Sequence, residues 1–132
     1  MAALDTNVLV RHLVQDDPAQ SALATRLVRR CIMDGRPLHI PVSVMLELEW
    51  VLRTRYGFGK PEVVQVLVQL LSAAELAVAD EGAVERALQR YRQANADFAD
   101  CVHVALAELA GQLPLWTFDR KAAKLGGARP LA

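Results

Sequence analysis

Residues 2–10, AALDTNVLV, contain the pattern that decides the fold. A short apolar run at residues 2–4 stops at the polar residues 5–7, and a helical spacing of apolar side chains begins at Val8. The same change from a short apolar run to a helical period recurs along the chain. The pattern therefore predicts short strands that are each followed by helical structure.

Later strands are predicted at residues 38–40, 75–78 and 115–117, with an edge strand at 128–131. Helices are predicted at about residues 8–13, 18–34, 44–56, 60–71, 81–93 and 98–110, with a helical turn at 119–125. Ser43 is expected to be the N-cap of the third helix. Strands that alternate with helices predict an α/β fold with a parallel sheet covered on both faces.

Length and composition limit the class of protein. The 132 residues fit one domain with a single core. No apolar run is clean enough to cross a bilayer, and the N-terminus lacks the pattern of a signal peptide, so we expect a cytoplasmic protein. Cys31 and Cys101 have no metal-ligand spacing and are expected to be small buried residues.

Two aspartates follow predicted strands. Asp5 comes directly after the first strand, and Asp119 lies two residues beyond the strand at 115–117. Ligands of an open parallel sheet bind outside the carboxyl ends of its strands. Each aspartate, taken singly, is also typical of a helix N-cap or an Asx turn. Position alone leaves both roles open.

Three further carboxylates are candidates. Glu47 lies at the border of the apolar stripe of its helix, with Glu49 at the opposite border, and such residues are usually solvated. Asp97 and Asp100 are three apart at the start of a helix, so they can meet on one face. The pair also fits a capping arrangement, with Asp97 as the N-cap and Asp100 in the first turn.

The set of acids is more informative than any member. Carboxylates that converge without a cation repel one another, which raises their pKa values. A hard cation removes the repulsion, and oxygen-only ligands suit Mg²⁺ or Mn²⁺. Such a site can hydrolyse a phosphodiester by activating water and neutralising charge on the phosphoryl group.

The sequence around these acids resembles the four acidic blocks of PIN-domain nucleases. The four stretches are LDTNVL at 4–9, SVMLELEWVLR at 43–53, DFADCVHVALA at 97–107 and TFDR at 117–120. They occur in order and cover nearly the whole chain. The resemblance is strongest to the VapC-type toxins.

The resemblance implies a three-layer α/β/α sandwich around a central parallel sheet of four to five strands, formed by one domain at residues 1–132. It also implies a Mg²⁺- or Mn²⁺-dependent endoribonuclease that is a toxin, forms a homodimer and binds a cognate antitoxin. Carried over by motif, the metal-site quartet is Asp5, Glu47, Asp100 and Asp119, with Asp97 as an additional acid. The polar neighbours that would orient these carboxylates are Thr6, Asn7 and Thr117. His103, beside Asp100, is expected to be a half-buried helix residue.

The charge balance predicts how RNA would bind. Fifteen Lys and Arg balance fifteen Asp and Glu, which is unlike a protein that coats duplex nucleic acid by neutralising phosphates. Contact with RNA must therefore use local basic surface. The candidates, which closely follow Glu47 and Asp119 in sequence, are Arg53, Arg55, Arg120 and Lys121.

Two alternatives remain open. A catalytically silent PIN-fold binding module would keep the fold and use its acids as helix caps. A small metallophosphatase could use the same ions and acids on small phosphates. A nucleotide-binding unit is disfavoured, because the chain contains no G-x-x-x-x-G-K-[ST] loop.

Overall fold

The computed structural model describes residues 2–131, which group into two compact units, one ending at Ala79 and one beginning at Asp80. Each unit combines α-helices with a pair of parallel strands. The predicted α/β class is therefore confirmed. Across the described range, none of the helices has the length and hydropathy needed to cross a membrane.

The first unit contains four helices and one strand pair. Its elements in chain order are α1 (Thr6–Val14), α2 (Pro18–Asp34), β1 (Leu38–Ile40), α3 (Val42–Thr54), α4 (Lys60–Ser72) and β2 (Leu76–Val78). Strands β1 and β2 are parallel, with Leu38 opposite Leu76 and Ile40 opposite Val78. Helix α1 packs against α2 and α3, and α3 also packs against α4.

The predicted first strand is reduced to a single parallel bridge between Ala3 and His39. Two backbone hydrogen bonds hold it: Leu4 N–H donates to the His39 carbonyl at 3.0 Å, and His39 N–H donates to the Ala2 carbonyl at 2.7 Å. The segment cannot extend further because α1 begins at Thr6. Asp5 is consequently fixed between the edge of β1 and the start of a helix.

Helix α2 begins and ends as its sequence predicts. Asp17 accepts a hydrogen bond from Gln20 N–H at 3.1 Å, and Pro18 occupies the first helical position. Gly35 ends the helix in the left-handed conformation, with φ of 64°. The prediction for the next helix was wrong at its start, because α3 begins at Val42 with Pro41 as N-cap.

Ser43 is therefore an exposed residue inside the first turn of α3. Pro41 already has the extended conformation of an N-cap, with φ of −62° and ψ of 153°. It leads directly from β1 into the helix, so no serine cap is needed. The core beneath α3 is formed by side chains with almost no exposure, among them Leu9, Ile40, Met45, Leu52 and Leu67.

The second unit consists of a helix pair followed by short strands. Its elements are α5 (Glu81–Gln93), α6 (Phe98–Leu109), β3 (Leu115–Thr117), a 3-10 helix (Ala122–Lys124) and β4 (Ala128–Pro130). Strands β3 and β4 are parallel, with Leu115 opposite Ala128, so the predicted edge strand is confirmed. Helices α5 and α6 pack together, and the rings of Tyr91 and Phe98 meet edge to face at 5.3 Å.

An ion-pair cluster links α5 to α6 on the surface of this unit. Glu108 accepts hydrogen bonds from Arg86 and, at 3.1 Å, from Arg90 Nη2. The hydrogen bond from Arg90 is the largest cause of a lowered pKa at Glu108. Two of the basic side chains of α5 thus serve the packing of the helix pair.

The cysteine and histidine predictions were partly wrong. Cys101 is buried as expected, but Cys31 is only half-buried because it lies near the exposed end of α2. Neither forms a disulfide. His103 is exposed rather than half-buried, since the buried face of α6 passes through Cys101, Val102 and Val104 on either side of it.

Candidate metal and nucleic-acid site

Two candidate acids of the second unit lie at the N-terminus of α6. Asp97 is the N-cap, and Asp100 lies in the first turn of the helix. The side chain of Asp97 makes no capping hydrogen bond, although its backbone has the extended conformation of a cap, with ψ of 149°. The alternative that the Asp97 carboxylate serves as a side-chain cap is therefore wrong.

Asp119 is held by hydrogen bonds through both its backbone N–H and its carboxylate. The Thr117 hydroxyl accepts from Asp119 N–H at 3.0 Å, at the carboxyl end of β3. Asp119 Oδ1 accepts from Ala122 N–H at 2.8 Å, where the 3-10 helix begins. The turn thus uses one carboxylate oxygen of Asp119 and fixes its backbone two residues beyond the strand.

The structure brings Asp97 and Asp119 within electrostatic range of Asp100. The pKa of Asp100 is raised, first by burial, then by the carboxylate of Asp119 and then by that of Asp97. His103 acts in the opposite direction and lowers it, but as the smallest cause. Ionisation of Asp100 is therefore opposed by its surroundings in the absence of a cation.

In the first unit, Asp5 is the N-cap of α1. Its Oδ1 accepts from Val8 N–H at 3.0 Å, and the residue is exposed. The prediction that Asp5 can act as a helix N-cap is therefore confirmed, through its Oδ1 atom. Thr6 is 5% exposed, and its hydroxyl oxygen has no hydrogen-bond partner among the described residues. Asn7 is exposed beside Asp5.

An open groove of about 350 Å³ runs along α1 and α2 in the first unit. Its lining residues are Asp5, Asn7, Val8, Arg11, Gln20, Leu23, Ala24 and Leu27. The groove contains polar groups at the N-terminus of α1 and apolar side chains along α2. Asp5 therefore faces a space that is large enough to admit part of a ligand.

Sequence reasoning missed a cationic residue of this groove. Arg11 Nη1 lies 3.0 Å from Asp16 Oδ1, and Arg11 Nε donates to Gln20 Oε1 at 2.7 Å. The Tyr56 hydroxyl donates to Asp16 Oδ2 at 2.8 Å and is the largest cause of a lowered pKa at Asp16. No local pattern could have revealed this cluster, because Tyr56 lies 40 residues away from Asp16.

The two glutamates of α3 have different surroundings. Glu47 is exposed, as expected for a border position, whereas Glu49 is 5% exposed. Glu49 Oε2 accepts from Arg53 Nε at 2.9 Å across one helical turn. The spacing of four residues could have predicted this ion pair. The charge of the RNA-contact candidate Arg53 is thus partly compensated.

The other basic candidates lie at exposed positions. Arg55 follows the end of α3 in the first unit. Arg120 and Lys121 follow Asp119 directly in the second unit. Their exposed positive charges can attract an anionic ligand that binds to the same unit.

The donor atoms fit a hard divalent cation. Within residues 2–131, no group of three or more His, Cys, Asp or Glu side chains has the arrangement of a metal-binding cluster. The pKa of Asp100 is nevertheless raised, first by burial and then by the neighbouring carboxylates, so both disfavour its ionised form. A cation with a preference for oxygen ligands would remove that penalty, which is the property expected of a Mg²⁺ or Mn²⁺ site.

Comparison with known proteins agrees with the resemblance seen in the sequence. The family model of the PIN domain matches residues 2–128. The chain is similar to a VapC ribonuclease of Aquifex aeolicus (strain VF5), with 24% identity over 126 residues that cover 96% of this chain and 93% of the relative. The match extends through both compact units and includes every candidate acid. The chain therefore belongs to the PIN domain family.

Proposed function

We propose that this protein is a Mg²⁺- or Mn²⁺-dependent endoribonuclease that acts as the toxin of a toxin–antitoxin pair. The observation that carries the proposal is the cluster of Asp97, Asp100 and Asp119, in which burial and neighbouring carboxylates raise the pKa of Asp100. An acid whose pKa is raised beside other acids in this way is a candidate for a functional site. The family match and the similarity to a VapC ribonuclease support the choice of RNA as substrate.

We assign the metal ligands to Asp5, Glu47, Asp100 and Asp119, with Asp97 as an additional acid. This assignment draws on both units and rests on the order of the four acidic motifs and on a family match that spans both. One PIN domain over residues 1–132, with a central sheet of four to five strands, is part of the same proposal.

A divalent cation at these carboxylates would supply an activated water and would neutralise charge on the phosphoryl group. The residues of the chain hold the ligands in place. Thr117 fixes the backbone of Asp119, and the N-terminus of α1 fixes one oxygen of Asp5. Thr6 and Asn7 flank Asp5 and are the proposed polar neighbours on that side. In the absence of the cation, Asp100 holds its proton more tightly than an ordinary aspartate.

The proposed partners follow from the same assignment. RNA would be attracted by Arg53, Arg55, Arg120 and Lys121, since the net charge of the whole chain is zero. A cognate antitoxin, a homodimer and a cytoplasmic location are proposed from the resemblance to VapC-type toxins. Light scattering on the purified chain, alone and with its antitoxin, measures both assemblies.

The test compares two substrates and one binding signal. The purified chain is incubated with RNA and with a generic phosphomonoester, with Mg²⁺, Mn²⁺ or EDTA. We expect internal cuts in RNA that require metal, together with a melting temperature that rises with metal and returns with EDTA. Hydrolysis of the phosphomonoester alone would favour the metallophosphatase. No cleavage and no thermal shift would favour the silent binding module.

A further inference from the structure

We propose that Trp116 and Phe118 form a platform on which bases of single-stranded RNA stack beside Asp119. The inference rests on the proposed ribonuclease function and adds residues that contact the substrate. Trp116 is 56% exposed and Phe118 is 82% exposed. Large aromatic side chains with this much exposure need an explanation, because burial of their apolar surface is favourable.

Trp116 is the middle residue of β3, and Phe118 directly follows the strand. Along residues 115–118, burial alternates: Leu115 and Thr117 are half-buried, whereas Trp116 and Phe118 are exposed. The alternation of β3 thus continues for one residue past the end of the strand, at Phe118. Because the two residues are only two positions apart in the chain, their Cα atoms lie at most roughly 7 Å apart. The rings therefore form one surface rather than two isolated contacts.

Positive charge surrounds this surface, which favours an anionic partner. Arg129 of β4 lies opposite Trp116 in the strand register, and it is exposed. Arg120 and Lys121 are exposed just beyond Phe118. Exposed aromatic rings combined with basic side chains are the usual means of binding single-stranded nucleic acid, because bases stack while phosphates are neutralised. Charge complementarity therefore favours RNA over an apolar protein segment.

The backbone around Phe118 is fixed. Thr117 accepts from Asp119 N–H, and Asp119 accepts from Ala122 N–H, so hydrogen bonds hold the turn on both sides of Asp119. Phe118 lies between Thr117 and Asp119 within this turn. A base stacked on Phe118 would place its own phosphate near the Asp119 carboxylate. The platform would thus position the strand for cutting, with little preference for base type because every base can stack.

Tryptophan fluorescence offers a direct test. The chain contains two tryptophans, so Trp50→Phe leaves Trp116 as the only emitter and Trp116→Phe leaves Trp50. Trp50 is a matched control, since it is 50% exposed on α3. Each variant is titrated with a short unstructured RNA in EDTA. We expect quenching in Trp50→Phe and little change in Trp116→Phe. Equal responses, or no response of Trp116, would overturn the proposal.

Binding of the same RNA in EDTA tests Phe118. We expect Phe118→Ala to weaken the Kd about tenfold and Phe118→Tyr to retain near-normal affinity, because only the ring is needed. Leu109→Ala, which removes another exposed apolar side chain of the second unit, should have no effect. An unchanged Kd for Phe118→Ala refutes the platform. Loss of antitoxin binding without loss of RNA binding also refutes it and assigns the surface to protein contact.

The two proposals can fail separately. Normal metal-dependent cleavage by Phe118→Ala together with an unchanged Kd would refute the platform and leave the ribonuclease intact. RNA binding that depends on Phe118, without any cleavage in metal, would refute the ribonuclease and leave the platform as an RNA-binding surface.

Discussion

Asp16 in the first unit and Asp100 in the second have carboxylates with opposite surroundings. Asp16 contacts Arg11 and Tyr56, and its pKa is lowered. Asp100 faces Asp119 and Asp97, and its pKa is raised. A carboxylate with a lowered pKa has its ionised form stabilised within the fold, while one with a raised pKa still requires a partner. The direction of the shift thus separates one structural acid, Asp16, from one candidate metal ligand, Asp100.

The contrast belongs to the site and not to the second unit as a whole. Glu108 lies on the same helix as Asp100, yet Arg90 and Arg86 lower its pKa. Both residues are therefore acids of α6 with opposite shifts. The pKa of Glu108 is lowered chiefly by the hydrogen bond from Arg90, whereas that of Asp100 is raised first by burial and then by the carboxylates of Asp119 and Asp97.

The largest expected effect is on RNA cleavage. We expect Asp100→Asn and Asp5→Asn each to lower the cleavage rate by at least about 100-fold, since even the partners of metal ligands contribute 10–100-fold. An amide is a poorer ligand for a hard cation than a carboxylate. Rates are measured on a fluorogenic RNA with saturating Mn²⁺, and folding is checked by circular dichroism.

Asp17→Asn is the matched control for Asp5→Asn. Both aspartates accept a hydrogen bond from the third residue along a helix start, at 3.0 Å for Asp5 and 3.1 Å for Asp17. Asn caps helices as well as Asp does, so both variants keep their caps. Cleavage should fall only in Asp5→Asn. Near-normal cleavage by Asp5→Asn or Asp100→Asn would remove that residue from the proposed metal site.

A smaller effect is expected on stability, with a sign that depends on pH. The raised pKa of Asp100 means that its contribution to folding is fully present below the unfolded pKa, near 3.9, and is lost as pH rises through the folded pKa. In EDTA at pH 7, Asp100→Asn should therefore melt at a higher temperature than the wild type. The difference should shrink as the pH is lowered towards 4.

Asp16→Asn should show the opposite sign. The lowered pKa of Asp16 gives a contribution that is present above the unfolded pKa and is lost as pH falls through the folded one. This variant should therefore melt at a lower temperature than wild type at pH 7, and the deficit should shrink only below pH of about 4. If both variants shift melting in the same direction, the comparison between the two acids fails.

Features that depend on residues adjacent in sequence could be predicted from the sequence. The start of α2 at Asp17 and Pro18 and the strand at Leu38–Ile40 follow from caps, turns and apolar runs that lie within a few residues of each other. The candidate aspartates were found in the same way, because each lies at the end of a strand or the start of a helix. Such positions are visible without knowledge of the packing.

Features that depend on packing were missed. Helix α3 packs against both α1 and α4, which widens its buried face enough to include Glu49. The apolar spacing of the sequence placed Glu49 at the border of the helix's apolar stripe. That spacing contains no information about the helices that pack on either side. The contact between Tyr56 and Asp16 joins residues 40 apart, so no local pattern contains it. The raised pKa of Asp100 likewise comes first from burial and then from Asp119, which follows a separate strand, and neither is visible in a local pattern.

The smallest expected effect distinguishes two of the arginines proposed to contact RNA, Arg53 and Arg120. Charge reversal of both Arg53 and Arg120 should slow cleavage and flatten its salt dependence while metal binding is unchanged. Loss of each phosphate contact lowers the slope of log affinity against log salt by about 0.7 for a single strand. Arg120→Glu should give most of the change, because Arg53 is already paired with Glu49 at 2.9 Å.

The measurement is kcat/KM against salt concentration, with Arg29→Glu on the exposed side of α2 as control. An effect of Arg53→Glu that equals that of Arg120→Glu would mean that RNA displaces Glu49 from Arg53. In that case the ion pair between Arg53 and Glu49 would belong to the RNA path rather than to the packing of α3.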